Sequence, residues 1–162
     1  MKVGTFMTNE SFSVLIIDDD KDVADALGVI LERQGYRTKA VHNGQDAIAA
    51  SKKSNYNVAL IDIVLPDISG IDLLKRLNEG VPRIRKIIVT GHATLDNAVK
   101  AVNLGADAYL MKPVSPNVLL RTIKQQLKKQ DQEILVLQKK VKMYIDNVID
   151  ERIKRIKSGI LD

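Results

Sequence analysis

Along the chain, short apolar runs alternate with stretches whose apolar residues recur every three or four positions. Val14-Leu15-Ile16-Ile17 is a β-branched run that stops at three aspartates, the pattern of a strand buried on both faces. From Asp20 to Gln34, Val23, Ala24, Leu27, Ile30 and Leu31 keep helical spacing and Gly35 supplies a stop. The alternation then repeats. A strand is predicted over Tyr36–Val41, a turn at Asn43-Gly44 and a helix over Asp46–Lys53. Asn57–Ile61 is an apolar strand ending at Asp62; a loop with Pro66 and Gly70 leads to a helix over Ile71–Asn78. Lys86–Val89 predicts a strand ending at Thr90, Thr94–Leu104 a helix closed by Gly105, and Asp107–Met111 a last strand before Lys112-Pro113.

Five strands alternating with helices predict right-handed crossovers and a mostly parallel α/β sheet covered on both faces. In such sheets functional residues collect beyond the carboxyl ends of the strands. Here those ends hold Asp18, Asp19, Asp62, Thr90 and Lys112.

The last segment opens with Ser115-Pro116, a good N-cap followed by proline at the first helical position, and meets no further glycine or proline until Gly159. A continuous helix of this length exceeds what a compact domain needs. Leu120, Ile123, Leu127, Ile134, Leu137, Val141, Tyr144 and Val148 follow a 3–4 apolar repeat, broken at Gln130, which predicts a coiled coil. Ile145, Ile149, Ile153 and Ile156 drift to another face, as a stutter or a second packing surface would. An intramolecular helix folded back on its own domain is the alternative.

Composition narrows the class. The 45% hydrophobic and 28% charged fractions belong to a soluble globular protein, and no apolar run is long enough to cross a bilayer. With no cysteine, disulfides, thiolate metal sites and cysteine nucleophiles are excluded. No leader pattern follows Met1, so a cytoplasmic location without membrane contact is the expectation. The net charge of +5 suggests nucleic acid until it is divided along the chain. Residues 1–116 carry 14 Lys/Arg and 14 Asp/Glu, and the whole excess lies in residues 117–162. That tail has one aromatic residue, Tyr144, and no internal turn to make a helix-turn-helix, so direct nucleic-acid contact is not expected.

Three carboxylates at strand ends, Asp18, Asp19 and Asp62, would repel one another unless a hard cation neutralised them, and Mg²⁺ suits such oxygens. Phosphoryl transfer needs a nucleophile, charge neutralisation and donors for the equatorial oxygens. Asp62, Mg²⁺ with Lys112, and Thr90 supply those roles. Each residue alone has a plainer reading as a helix cap, turn residue or surface charge; their combination is the specific signal.

Asp18-Asp19 after an apolar strand, Asp62 followed by Pro66 and Gly70, Thr90 with Gly91, and Lys112-Pro113 together resemble the response-regulator receiver domain, over roughly residues 13–128. The resemblance implies a doubly wound five-stranded sheet of order 2-1-3-4-5 with helices on both faces. It implies that Asp62 accepts a phosphoryl group from a sensor histidine kinase, so that the protein is a phospho-acceptor promoting its own phosphorylation and dephosphorylation. By the same resemblance Asp18, Asp19, Asp62 and the backbone carbonyl of Val64 would hold Mg²⁺, Lys112 would pair with the phosphoryl oxygens, Thr90 would move to hydrogen-bond them, and Tyr109 would swing inward behind it. Val64 and His92 occupy the two positions that tune dephosphorylation in the family. Residues 1–12 are then a short N-terminal extension, 13–128 the receiver, and 129–162 a helical extension. Through helix 5 and that extension the chain would form a homodimer, and phosphorylation would alter dimer geometry or partner binding.

Two other readings compete. Asp18 and Asp20 have the Asp-x-Asp spacing of haloacid-dehalogenase-like phosphatases, but no carboxylate follows Lys112 until Asp131, where that family needs an acidic pair. Alternatively, the tail is the linker of a longer DNA-regulatory response regulator.

Overall fold

The structure, a computed structural model, describes residues 12–159 apart from Asn78. It divides into two compact units, one reaching to Leu127 and one starting at Lys128. In chain order the elements are β1 (Ser13–Ile17), α1 (Lys21–Glu32), β2 (Arg37–Val41), α2 (Gly44–Lys53), β3 (Val58–Ile61), α3 (Gly70–Leu73), β4 (Arg85–Thr90), α4 (Leu95–Asn103), β5 (Ala108–Met111) and α5 (Pro116–Lys157). All strand pairs are parallel, in the order β2-β1-β3-β4-β5.

Strand periodicity sorts the core into two layers. Val14, Ile16, Val58, Leu60, Ile87 and Val89 point to a layer completed by Leu27 and Leu31 of α1 and by Leu119, Ile123 and Leu127 of α5. Leu15, Ile17, Ala59, Ile61 and Ile88 point the other way, against Ala47 of α2, Ile71 and Leu73 of α3, and Ala101 of α4. The central strands β1, β3 and β4 are apolar on both faces because helices cover both. Truncating a fully buried member such as Leu60 to alanine should cost about 2–5 kcal/mol.

Local chemistry sets the element boundaries. Asp20 caps α1, accepting from the N–H groups of Asp22 and Val23, and Thr94 caps α4 through the Asn97 N–H. Gly35 and Gly105 close their helices at φ 87° and 96°, in the region that favours glycine.

Several predicted boundaries shift. Asn43-Gly44 is no separate turn: the Asn43 side chain accepts from the Asp46 N–H and Gly44 begins α2. The helix expected over Ile71–Asn78 is regular only to Leu73. Beyond it, the N–H groups of Leu74, Lys75 and Arg76 donate to the carbonyls three residues back, a tighter turn, before the Leu77 N–H returns to Leu73 C=O four back; Leu73, Leu74 and Leu77 are all buried. Asn78 itself lies outside the described residues, as does the proposed N-terminal extension up to residue 11. Phe12, assigned to that extension, is buried in the first core layer and its carbonyl accepts from the Arg37 N–H.

The α5 helix is uninterrupted over 42 residues. Within it Ile123, Ile134, Ile145 and Ile156 recur every eleven residues. Eleven residues are close to three full turns, so these isoleucines recur on one side of a helix. No helix among the described residues is long and apolar enough to cross a membrane.

Candidate functional site

The strand register assembles the site. Ile17 pairs with Ile61, so the residues that follow, Asp18 and Asp62, emerge side by side at the carboxyl ends of adjacent strands. Backbone bonds fix them there: Asp18 N–H donates to Val41 C=O at 3.1 Å and Asp62 N–H to Ile17 C=O at 2.9 Å. On the next strand, β4, Thr90 pairs with Met111 of β5, and Lys112 N–H donates to Thr90 C=O at 2.9 Å. The chain crosses to one side of β1 for β2 and to the other for β3, so β1 and β3 flank the switch point where such sheets bind ligands.

At the centre, the Lys112 Nζ donates to Asp18 Oδ2 at 2.6 Å and to Asp62 Oδ2 at 2.9 Å. Both carboxylates are buried, while Asp19 is exposed. Burial alone would lower the Lys112 pKa; its hydrogen bonds to the two aspartates, and their charges, outweigh that and hold the ammonium above its ordinary range. For Asp18 burial dominates and pushes the carboxyl up, against the hydrogen bonds from Lys112 and from the Asp20 N–H.

One carboxylate oxygen from each of Asp18, Asp19 and Asp62 lies within 4.8 Å of the other two. With one ammonium against three carboxylates, the group keeps an excess of negative charge. All donors are hard oxygens, so the set fits Mg²⁺ or a similar divalent cation and not a soft metal. Asp18, Asp19 and Asp62 would hold the ion, which when bound supplies neutralisation of charge on phosphoryl oxygens.

The remaining expected residues surround this centre. The Val64 N–H donates to Asp62 Oδ1 at 3.3 Å, which puts the Val64 backbone beside the acceptor. Thr90 is fully buried, and its hydroxyl accepts from the His92 N–H at 3.1 Å. That bond ties Thr90 to the loop entering α4. Tyr109 is half-buried against the second core layer, with its hydroxyl oxygen out of reach of solvent.

Three features were not legible in the sequence. Gly70 packs so closely under the acceptor that a Cβ there would stand 1.9 Å from the Asp62 carbonyl oxygen, and its N–H donates to Ile63 C=O at 2.8 Å. Asp67, in the same loop, accepts from the N–H groups of Gly44 and Gln45 at 2.8 and 2.9 Å, tying the acceptor loop to the first turn of α2. The Gly44 bond leads in holding its carboxyl below the ordinary range. The His42 Nδ1 lies 2.9 Å from the Asp18 carbonyl oxygen, a partner that sequence reasoning had not found.

The sequence matches the response regulator receiver domain over residues 14–124. The chain therefore belongs to the receiver-domain family of two-component response regulators. It is 37% identical over 122 residues to the phosphoglycerate transport system transcriptional regulatory protein of Salmonella typhimurium, covering 75% of this chain and 29% of that one. The first curated relatives it matches are longer, and the chain spans 29% to 53% of their length. Among solved structures, a CheY-like receiver domain protein from Methanospirillum hungatei aligns at 42% identity with a TM-score of 0.72, covering 75% of this chain and 98% of that one. A response regulator from Burkholderia pseudomallei with a phosphorylated aspartic acid, calcium ion and citrate aligns at 30% identity and a TM-score of 0.67, covering 77% and 74%.

Proposed function

We propose that this chain is a phospho-acceptor receiver in which Asp62 takes the phosphoryl group from a sensor kinase's phosphohistidine with Mg²⁺ present. The observation that carries it is the Lys112 ammonium held between Asp18 and Asp62 at the carboxyl ends of adjacent strands. An Asp62 carboxylate oxygen forms a bond to phosphorus, the P–N bond of the phosphohistidine breaks, and its electron pair returns to the imidazole nitrogen. Asp62 needs no general base because it attacks as the carboxylate. Lys112 is placed to exchange its bond with Asp62 for one with the phosphoryl oxygens. The phosphorylated aspartic acid of the Burkholderia neighbour supports this reading.

The switch follows from Thr90. Its hydroxyl is satisfied by the His92 N–H in this conformer. A phosphoryl group on Asp62 adds acceptor oxygens that favour a conformer in which Thr90 turns toward them and Tyr109 packs behind it. The face made by α4, β5 and α5 would change, and with it dimerisation or partner binding through the C-terminal helix in a cytoplasmic homodimer. A second reading, that the chain is part of a longer DNA-regulatory protein, is favoured by the names and lengths of its curated relatives. The phosphatase reading loses support because Asp20 is spent on capping α1.

The test is intact mass after acetyl phosphate and Mg²⁺. A gain of ~80 Da, one phosphoryl group, that EDTA and Asp62→Ala both abolish is the expected result. A gain that survives Asp62→Ala would refute the assignment.

A further inference from the structure

From Lys128 onward α5 is an amphipathic helix whose apolar face is uncovered. At about 100° per residue, Ile134, Val141, Ile145, Val148, Ile149 and Ile156 fall on one side, and all but the half-buried Ile134 are exposed. With Leu135, Tyr144 and Ile153 at its margins, the stripe spans about half the circumference, broader than a solvated helix carries without a partner.

The charges indicate which partner. Acidic residues at 131–133, basic at 139–142, acidic at 146–151 and basic at 152–157 alternate in blocks. A parallel, in-register copy would set every block against itself. A copy running the other way, reversed about the midpoint between Tyr144 and Ile145, sets every block against its opposite. We infer that this segment pairs with a second copy of itself as an antiparallel two-helix assembly centred on that midpoint. The inference deepens the homodimer reading above and rests on it.

The detail agrees at side-chain level. In a two-fold antiparallel pair, residues on the same flank of the stripe meet. Lys142 and Asp146 border the stripe on one flank and Glu133 and Arg155 on the other, and each pair is symmetric to within a residue about the midpoint. Along the seam Val141 stands level with Val148 and Ile145 with Tyr144 of the copy, and Ile134 falls within one residue, about 1.5 Å, of Ile156. Arg152, a charge inside the stripe, falls level with Leu137 and within one residue of the polar Gln138. The two chains would then enter from opposite ends, their Lys128 residues about 50 Å apart at 1.5 Å per residue.

The chain has no cysteine, so single cysteines report the geometry cleanly. Full-length Ile134→Cys and Ile156→Cys proteins, one carrying a mass tag, are mixed, allowed to exchange and oxidised. Antiparallel pairing gives the Ile134→Cys/Ile156→Cys heterodimer and no self-linked product, because the two copies of position 134 are ~32 Å apart. Self-linking of each variant without the heterodimer would overturn the orientation while leaving the dimer. A monomer by light scattering at tens of micromolar would overturn the homodimer reading itself. Should the cysteines weaken association, spin labels at Lys129→Cys, off the stripe, decide the matter. About 50 Å supports the antiparallel pair, whereas about 20 Å, two helix diameters, contradicts it.

Discussion

Replacing Gly70 with alanine tests whether the acceptor is positioned by the loop beneath it. The added Cβ would stand 1.9 Å from the Asp62 carbonyl oxygen, 2.8 Å from the Asp62 carbonyl carbon and 2.9 Å from the Ile63 Cα. All three are backbone atoms, so no side chain can turn aside. Ordinary carbon contacts begin near ~3.5 Å, which leaves more than 1 Å of displacement to be shared between the Gly70 turn and the Asp62–Ile63 backbone. Overpacking of this kind costs about 1–3 kcal/mol, and stretching the Gly70 N–H bond to Ile63 adds about 1 kcal/mol. A loss of about 2–4 kcal/mol is expected, within the 5–15 kcal/mol of a typical domain, so the variant should remain folded at 25 °C. The effect on chemistry should be larger, since a displacement of about 1 Å at a reacting group can cost 100-fold in rate. Urea unfolding followed by circular dichroism gives the first quantity, and the rate of acetyl phosphate labelling the second. Unchanged urea midpoint and labelling rate together would refute the argument.

Asp107 tests the opposite end of the sheet. Burial works against its carboxylate, but the Arg83 hydrogen bond, the Lys86 N–H and the charges of Arg83 and Arg85 outweigh it and hold the pKa below the ordinary 3.8. With the folded value below the unfolded one, its stabilisation is fully present above pH 3.8 and is lost as pH falls through the folded value. Asp107→Asn should therefore cost about 3 kcal/mol at pH 7, and the gap to the parent in urea midpoint should narrow below pH 3.8; a gap that widens there contradicts the sign. Asp18→Asn should weaken Mg²⁺ binding by calorimetry on the order of 100-fold, whereas Asp20→Asn, which keeps a competent helix cap, should leave it within a few-fold. Equal losses for the two would place Asp20 in the metal site.

The strands and the acidic centre were legible because both are local. Apolar β-branched runs that end in aspartate announce β1 and β3, and the parallel register then brings Asp18 beside Asp62 without further information. Lys112 was legible by the same logic, standing immediately after the strand Ala108–Met111. Contacts set by tertiary approach were not. Gly70 reads as a loop glycine until the Asp62 backbone is seen against it, and Asp67 reads as a turn residue until Gly44 and Gln45 present their N–H groups. The ion-pair cluster of the buried Arg85 with Asp107 and the partly exposed Arg83 carries no sequence signal, since charged residues at strand starts are ordinarily solvated. The shortening of α3 carried no sequence signal either, since Leu73, Leu74 and Leu77 have the spacing of an ordinary helical face.

The central claim is that Asp62 is the covalent acceptor, and trapping the acyl phosphate tests it most directly. Borohydride reduces an aspartyl phosphate to homoserine, so peptide sequencing by mass spectrometry reads the modified position. After acetyl phosphate and Mg²⁺, homoserine should be found at position 62 alone and should vanish in the EDTA control. Homoserine at position 18, or at no position, would contradict the account.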